Sequence, residues 1–165
     1  MSTKPKPIPD GYHSVTPYLT ASDAAKAIEF YQRAFGAMER DRLVMPDGRI
    51  GHAEIRIGDS MFMLADEFPE YGGKSAQTLK GSPVGFALYV ENVDQAFQRA
   101  VDAGATVQEP VDNKFWGDRA GAVMDPFGHK WTLLTHIEDV PPAEMKRRMA
   151  EFCAGMEESH PASKK

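Results

Sequence analysis

The sequence has a single cysteine, no stripe of basic residues and no long apolar run. Cys153 cannot form a disulfide within the chain, which is typical of proteins that fold in a reducing compartment. The net charge of −5 at pH 7 argues against nucleic acid as a partner. No apolar run reaches the length of a membrane span, and residues 1–10 lack the apolar core of a signal peptide. We therefore expect a cytoplasmic protein that binds neither nucleic acid nor a membrane.

Motifs for nucleotide and thiol chemistry are also missing. The chain has no Gly-rich phosphate loop, no G-x-S-x-G nucleophile elbow and no C-x-x-C pair. What the chain does have is length and apolar content, since 42% of its 165 residues are hydrophobic. This size is enough for one domain with a core or for two small fused modules.

The same order of predicted elements occurs twice along the chain. In each copy a strand precedes an amphipathic helix, and three short strands separated by turn residues follow. The predicted elements span residues 14–20, 24–35, 38–45, 51–57 and 61–65, then 83–90, 93–101, 106–111, 119–124 and 130–135. The predicted helix boundaries are the N-caps Ser22 and Asn92 and the terminal glycines Gly36 and Gly104. The helices are also similar in sequence, FYQRAFGA from Phe30 and FQRAVDAGA from Phe97.

This repeat predicts an α+β fold with two tandem βαβββ modules and a C-terminal helix. The predicted segments are a flexible arm 1–12, a first module 13–66, a linker 67–82, a second module 83–138, a C-terminal helix 139–158 and a disordered tail 159–165. Met145, Met149, Phe152 and Met156 recur at helical spacing in that helix. We expect this stripe to pack on the domain or on a partner subunit.

The stretch from Phe115 to Leu134 contains the densest set of candidate site residues. Asp125-Pro-Phe-Gly has the chemistry of a type I turn between two strands. Ahead of it, FWGDR places two aromatic residues beside Asp118 and Arg119 in a Gly-containing loop. This loop suits a pocket rim, where Trp116 would stack on a ligand. The alternative is a Trp packed on the core and an Asp–Arg pair at the surface.

Several segments resemble the vicinal oxygen chelate superfamily, which includes glyoxalases, extradiol dioxygenases and bleomycin-resistance proteins, and within it the PhnB-like branch. The matching segments are PYLT (17–20), GHAE (51–54), MLADE (63–67), FWGDR (115–119), DPFG (125–128) and THIEDV (135–140). The resemblance implies that each module forms a half-barrel, that the halves enclose a cavity, and that the protein is a homodimer.

The resemblance also implies four places for ligands of a divalent metal, two in each module. Carried over to this chain, they fall on Thr16, Met63, Gly85 and Thr132. None has the imidazole or carboxylate that such ions prefer. We therefore expect no cofactor and no metal at the usual places, with a non-standard divalent site as the alternative. His13 lies about three residues before the first of these places.

Strand alternation assigns residues to the cavity independently of the resemblance. Phe62, Leu64, Phe86 and Trp131 share the face expected against the helices, so their neighbours face the cavity. The predicted ligand-binding residues are Thr16, Tyr18, Met63, Tyr89, Trp116, Asp118, Arg119 and Thr132. A cavity lined in this way suits a planar or apolar small molecule.

His52 and Glu54 are the candidate catalytic residues. They alternate with apolar residues and share one strand face with Arg56, so Glu54 could orient the imidazole for acid–base catalysis. The alternative is a solvated strand face with charge pairing across strands. His129 follows a turn and His136 ends the last strand, positions that usually face solvent.

Three functions remain open at this point. The first is a glyoxalase- or bleomycin-resistance-like protein that binds a small apolar or aromatic molecule without metal. The second is a lyase or isomerase resembling glyoxalase that uses His52 and Glu54 or a non-standard metal site. The third is a dimeric interaction protein with a vestigial pocket, in which the C-terminal methionine stripe binds the partner.

Overall fold

A computed structural model describes residues 5–159 of the chain. The strands are β1 Tyr18–Ala21, β2 Met38–Val44, β3 Ile50–Ile57, β4 Ser60–Asp66, β5 Gly85–Tyr89, β6 Thr106–Asn113, β7 Asp118–Met124 and β8 Lys130–His136. The helices are α1 Ala24–Phe35, α2 Ala76–Leu79, α3 Val93–Asp102 and α4 Pro142–Ser159, with a 3-10 turn at Pro69–Tyr71. No helix within residues 5–159 is both long enough and apolar enough to cross a bilayer.

The strands form two four-stranded sheets of the same topology. Their orders are β1-β4-β3-β2 and β5-β8-β7-β6. In each sheet the first strand pairs in parallel with the last, and the remaining pairs are antiparallel. This confirms the α+β class and the two tandem βαβββ modules followed by a C-terminal helix.

The two long helices begin and end at residues suited to those positions. The N-cap of α1 is Asp23, one residue after the predicted Ser22, and its side chain accepts a hydrogen bond from the backbone N–H of Lys26. Gly36 ends α1 with φ 68°, a left-handed conformation that glycine adopts without strain. Asn92 caps α3 as predicted, accepting from the backbone N–H of Gln95.

Some boundaries differ from the sequence-based prediction. The first strand begins at Tyr18, because its predicted part before Pro17 makes no ladder pairing. The stretch predicted as a linker contains α2, which Ser75 caps by accepting from the backbone N–H of Thr78. Helix α4 extends through Ser159. Residues 1–4 of the predicted flexible arm and residues 160–165 of the predicted disordered tail lie outside the described residues.

The two modules share one hydrophobic core. Trp131 of β8 lies with ring centroids 4.5 Å from Phe35 of α1, 5.7 Å from Phe62 of β4 and 4.7 Å from Phe86 of β5. Its indole is 1% exposed. Since burying an aromatic side chain of this size stabilises a fold by roughly 3 kcal/mol, these contacts hold the modules together.

A buried carboxylate lies beside this aromatic cluster. Asp125, at the start of the predicted type I turn, is 3% exposed. Its Oδ1 accepts from the backbone N–H groups of Phe127 and His129, each at 2.9 Å. Its Oδ2 accepts from the Tyr31 hydroxyl at 2.8 Å and the Trp131 indole N–H at 3.0 Å. The turn of the second module is thus bonded to α1 of the first.

The sheet faces opposite the helices are open in a single chain. Tyr18 on the first module and Tyr89 on the second lie on these faces and are 53% and 62% exposed. We call them the first and second cavity faces. The ring contacts between modules, such as Phe62–Phe86, come from the helix-covered sides instead. One copy of the chain therefore presents two open surfaces.

Candidate functional site

The first cavity face carries a row of polar side chains on β3. His52, Glu54 and Arg56 are half-buried there, whereas the alternating Ala53 and Ile55 are fully buried against the helices. This is the shared face that the sequence predicted for the three polar residues.

Three of the predicted site residues are connected on this face. The hydroxyl of Tyr18 lies 3.2 Å from Nδ1 of His52, and Nε2 of His52 lies 3.5 Å from Oε1 of Glu54. The Tyr18 and His52 rings also contact each other, with centroids 5.7 Å apart. Met63 lies beside them, because it is the register partner of both Tyr18 and Glu54. The result is a Tyr–His–Glu chain next to a flexible thioether.

Among the residues that the structure describes, two polar atoms at this face are buried without a hydrogen-bond partner. They are the hydroxyl of Tyr12 and Nε of Arg56. Burial, followed by the neighbouring Glu54 carboxylate, raises the pKa of Tyr12 to about 12. Leaving a buried polar group unpaired costs about 1–3 kcal/mol, so each of these two atoms would be stabilised by a hydrogen bond to a bound molecule.

Tyr12 was not predicted as a site residue, because it falls in the Pro-rich segment predicted as a flexible arm. The only sequence signal is one aromatic residue beside Gly11. Thr16, which was predicted to bind ligand, precedes β1, and its hydroxyl lies 3.5 Å from the carbonyl oxygen of His13. His13 itself is exposed.

The second cavity face is organised around Asp118, which is 4% exposed. Its Oδ2 accepts from the Trp116 indole N–H at 2.9 Å and from the Tyr89 hydroxyl at 3.2 Å, and its Oδ1 lies 2.8 Å from Nδ1 of His136. Hydrogen bonds to Asp118 and then to Asp139 raise the pKa of His136. Two predicted ligand-binding residues, Tyr89 and Trp116, thus surround the carboxylate of a third, Asp118, and His136 joins them although its position at the strand end predicted a solvent-facing side chain.

Thr132 and Arg119 lie apart from this carboxylate. Thr132 is on the same face, half-buried between its register partners Ala87 and Ala122. Arg119 is on the opposite face, where its guanidinium donates to both carboxylate oxygens of Asp94 at 2.8 and 2.6 Å. The binding role of Arg119 stays a prediction.

The family's metal places have donors that do not fit a divalent ion. Thr16 and Thr132 offer hydroxyls, Met63 a thioether and Gly85 no side chain. Within residues 5–159 no group of three or more His, Cys, Asp or Glu side chains is arranged to hold a metal. We therefore derive no chemical step through a metal at these places.

Comparison with known proteins agrees with this architecture. The model of the Glyoxalase/Bleomycin resistance protein/Dioxygenase superfamily matches residues 11–133. The uncharacterized protein Rv0887c of Mycobacterium tuberculosis is 44% identical over 140 residues, covering 83% of this chain and 82% of the relative.

Solved structures show the same fold. TioX from Micromonospora sp. ML1 has a TM-score of 0.59 and 28% identity, covering 76% of this chain and 99% of that chain. A PhnB protein from Bacillus cereus, described as a putative 3-demethylubiquinone-9 3-methyltransferase, has a TM-score of 0.60. It covers 74% of this chain and 99% of its own, but at 16% identity the likeness shows the fold alone. Together with the tandem βαβββ modules, these matches establish that the chain belongs to the Glyoxalase/Bleomycin resistance protein/Dioxygenase superfamily.

Proposed function

We propose that the protein binds a small planar molecule on its first cavity face, without a metal at the family's usual ligand places. The observation that carries this proposal is Nε of Arg56, which is buried without a hydrogen-bond partner among residues 5–159 on the same sheet face as an exposed aromatic ring. A ligand with a hydrogen-bond acceptor would pair with Arg56, and its ring would stack on Tyr18. Met63 supplies an adaptable apolar contact.

The test is an amide NMR titration of the full chain with indole, benzoate and 1,4-naphthoquinone. We expect saturable shifts in β1, β3 and β4. Arg56→Gln should weaken binding of the acceptor-bearing probes about tenfold, which corresponds to one lost hydrogen bond of roughly 1.4 kcal/mol. The matched control is Arg33→Gln, which removes the same charge from an exposed position on α1. Equal affinity of Arg56→Gln and the unsubstituted protein would contradict the proposal.

Metal independence is tested separately. Protein purified without an affinity tag should contain no stoichiometric metal by elemental analysis. Titration with Mn²⁺, Ni²⁺, Zn²⁺ or Fe²⁺ should produce no saturable rise in melting temperature, because an ion that binds only the folded state would stabilise it. A one-to-one metal content would overturn this part of the proposal and direct attention to His52, Glu54 and His13.

A second candidate function is proton-transfer catalysis of the lyase or isomerase type. The Tyr18–His52–Glu54 chain favours it, because a carboxylate that orients an imidazole is a common general acid–base arrangement. Turnover of the hemithioacetal of methylglyoxal and glutathione should then be lost in His52→Ala while the thermal unfolding profile is retained. Absence of turnover in the unsubstituted protein would leave binding as the function.

We also propose that the protein is a homodimer in which a second copy covers the open cavity faces. The exposed Tyr18 and Tyr89 rings support this, since tyrosine is enriched at protein–protein interfaces. Light scattering should give twice the 18.2 kDa of one chain. If the exposed Met149 and Phe152 of α4 form the interface instead, truncation after Val140 should give a monomer without loss of ligand binding.

A further inference from the structure

The imidazole of His129 is buried without a hydrogen bond, and it belongs to neither cavity face. The residue is 6% exposed, and within residues 5–159 its Nδ1 is buried without a hydrogen-bond partner. Oδ2 of Asp125 lies 3.5 Å from Nδ1, but this oxygen already accepts from Tyr31 and Trp131. Nδ1 thus faces the Asp125 carboxylate, and Nε2 is the ring nitrogen left without a hydrogen-bond or ion-pair partner among the described residues.

His129 forms part of the wall of a cavity of about 300 Å³ between the two modules. Its walls come from β1, the segment around α2 and the start of β5, and we call it the junction cavity. The residues that matter here are Pro17, Lys74, Leu79, Ser82, Phe86 and His129. A second cavity of about 260 Å³ shares Pro17 and Phe86 with it, so the space continues along the seam between the modules. The volume of the junction cavity, about 300 Å³, is at the lower end of the range for small-molecule sites.

The polar groups of the junction cavity are suited to an anion. The side chain of Lys74 makes no hydrogen bond or ion pair with any residue of the described chain. The Ser82 hydroxyl is already bonded to the backbone of Val84, at 3.0 Å to the carbonyl oxygen and 3.2 Å to the nitrogen. None of the lining residues is Asp or Glu, although the whole chain has a net charge of −5. The Lys74 ammonium, which has no partner in the described chain, and Nε2 of the His129 imidazole therefore remain as polar groups in an otherwise mostly apolar wall.

We propose that the junction cavity is a second binding site, specific for a small monocarboxylate with an apolar body. The carboxylate lies between the Lys74 ammonium and the His129 ring, where it gains one charge pair and one hydrogen bond. The hydrocarbon part packs against Leu79 and Phe86. This site is separate from the Arg56 group of the first cavity face, although Tyr18 contributes to the walls of both.

The experiment is an amide NMR titration of the full chain with sodium octanoate and, as a charge control, octylamine hydrochloride. Octanoate should give saturable shifts at residues 77–84 and at His129, and octylammonium should give none there. Lys74→Gln and His129→Gln should each weaken octanoate binding about tenfold, the effect of one charge-assisted hydrogen bond. Lys146→Gln removes the same charge from an exposed position on α4 and should leave the affinity unchanged.

Three results would overturn the proposal. They are no saturable shift with octanoate, equal shifts with octylammonium, and octanoate shifts confined to β3 around His52. The thermal unfolding profile will show whether His129→Gln folds. If it does not, Lys74→Gln alone tests the proposal, because Lys74 is exposed and its replacement should leave the fold intact. Failure here is distinct from failure of the proposed function, because this site is followed at residues 77–84 and His129, whereas the first cavity face is followed in β3 and with Arg56→Gln.

Discussion

Replacing Asp125 should strongly destabilise the module junction. The carboxylate is 3% exposed and accepts four hydrogen bonds, two from backbone N–H groups and one each from Tyr31 and Trp131. Each bond to a charged acceptor contributes about 1.5–3 kcal/mol, and the lost donors stay buried. Since removal of the buried charge offsets part of this, we expect Asp125→Ala to reduce the free energy of unfolding by about 3–5 kcal/mol.

Asp125→Asn tests the backbone hydrogen bonds of this carboxylate separately from its side-chain hydrogen bonds. The amide keeps one oxygen for the backbone N–H groups but offers no acceptor to Tyr31 and Trp131, so the expected loss is about 2 kcal/mol. Both losses in the free energy of unfolding can be measured by urea unfolding, followed by Trp fluorescence and by circular dichroism. Each loss is obtained from the shift in the urea concentration at the unfolding midpoint, provided that the m-value is unchanged. Asp102→Ala, at an exposed position on α3, should change stability by less than about 0.5 kcal/mol. A loss below about 1 kcal/mol for Asp125→Ala would refute the reasoning.

The same substitution has a pH signature. Burial alone would raise the pKa of Asp125, but its donors, His129 and Trp131 among them, hold the pKa below its ordinary value of 3.8. A depressed pKa in the folded state stabilises the fold above the ordinary value, and this contribution is lost as pH falls through the folded value. The stability difference between the unsubstituted protein and Asp125→Asn should therefore narrow below about pH 3.8.

Three further predictions concern the loop before β7 and the first cavity face. Gly117→Ala places a methyl group 2.2 Å from the carbonyl oxygen of Glu138 at φ 97°, and differential scanning calorimetry should show a loss of at least about 2 kcal/mol. Tyr12→Phe removes a buried hydroxyl that makes no hydrogen bond of normal length within residues 5–159 and lies near the Glu54 carboxylate, so urea unfolding should show no loss in the free energy of unfolding and a gain of up to about 1 kcal/mol. Asp118→Asn should lower the raised pKa of His136 toward 6.5 in an NMR titration. An unchanged pKa would show that Asp118 is not what raises it. Because the raised pKa belongs to the folded state, the contribution of His136 to stability is present in full below about pH 6.5 and is lost as pH rises through the folded value.

The elements of the fold could be predicted because each is specified locally. Asn92 and Gly36 mark helix ends through their own backbone chemistry, and strand alternation separated His52 and Glu54 from Ala53. Neighbouring residues of a strand point to opposite faces, so alternation alone also argues against the alternative in which Asp118 and Arg119 pair with each other. The short helix α2 was missed because four residues are too few for a periodic pattern.

The contacts of the candidate sites depend on tertiary structure, which the sequence pattern does not contain. Tyr12 approaches Glu54 across 42 residues of chain, and nothing near Tyr12 in sequence indicates that contact. His129 follows a turn, where polar residues are usually solvated, but here the second module folds it against the first. Register and module packing decide both cases, and neither is encoded locally.

The shared aromatic core also has a consequence for the folding of the repeat. A single βαβββ unit excised from this chain would expose either Trp131 or its partners Phe35 and Phe62 to water. We therefore expect neither half to fold alone, because unfolding of one removes the packing of the other. Exchange of one half with that of a relative would succeed only if both sides of the aromatic contact were exchanged together. The repeat is thus two units in topology and one unit in its core.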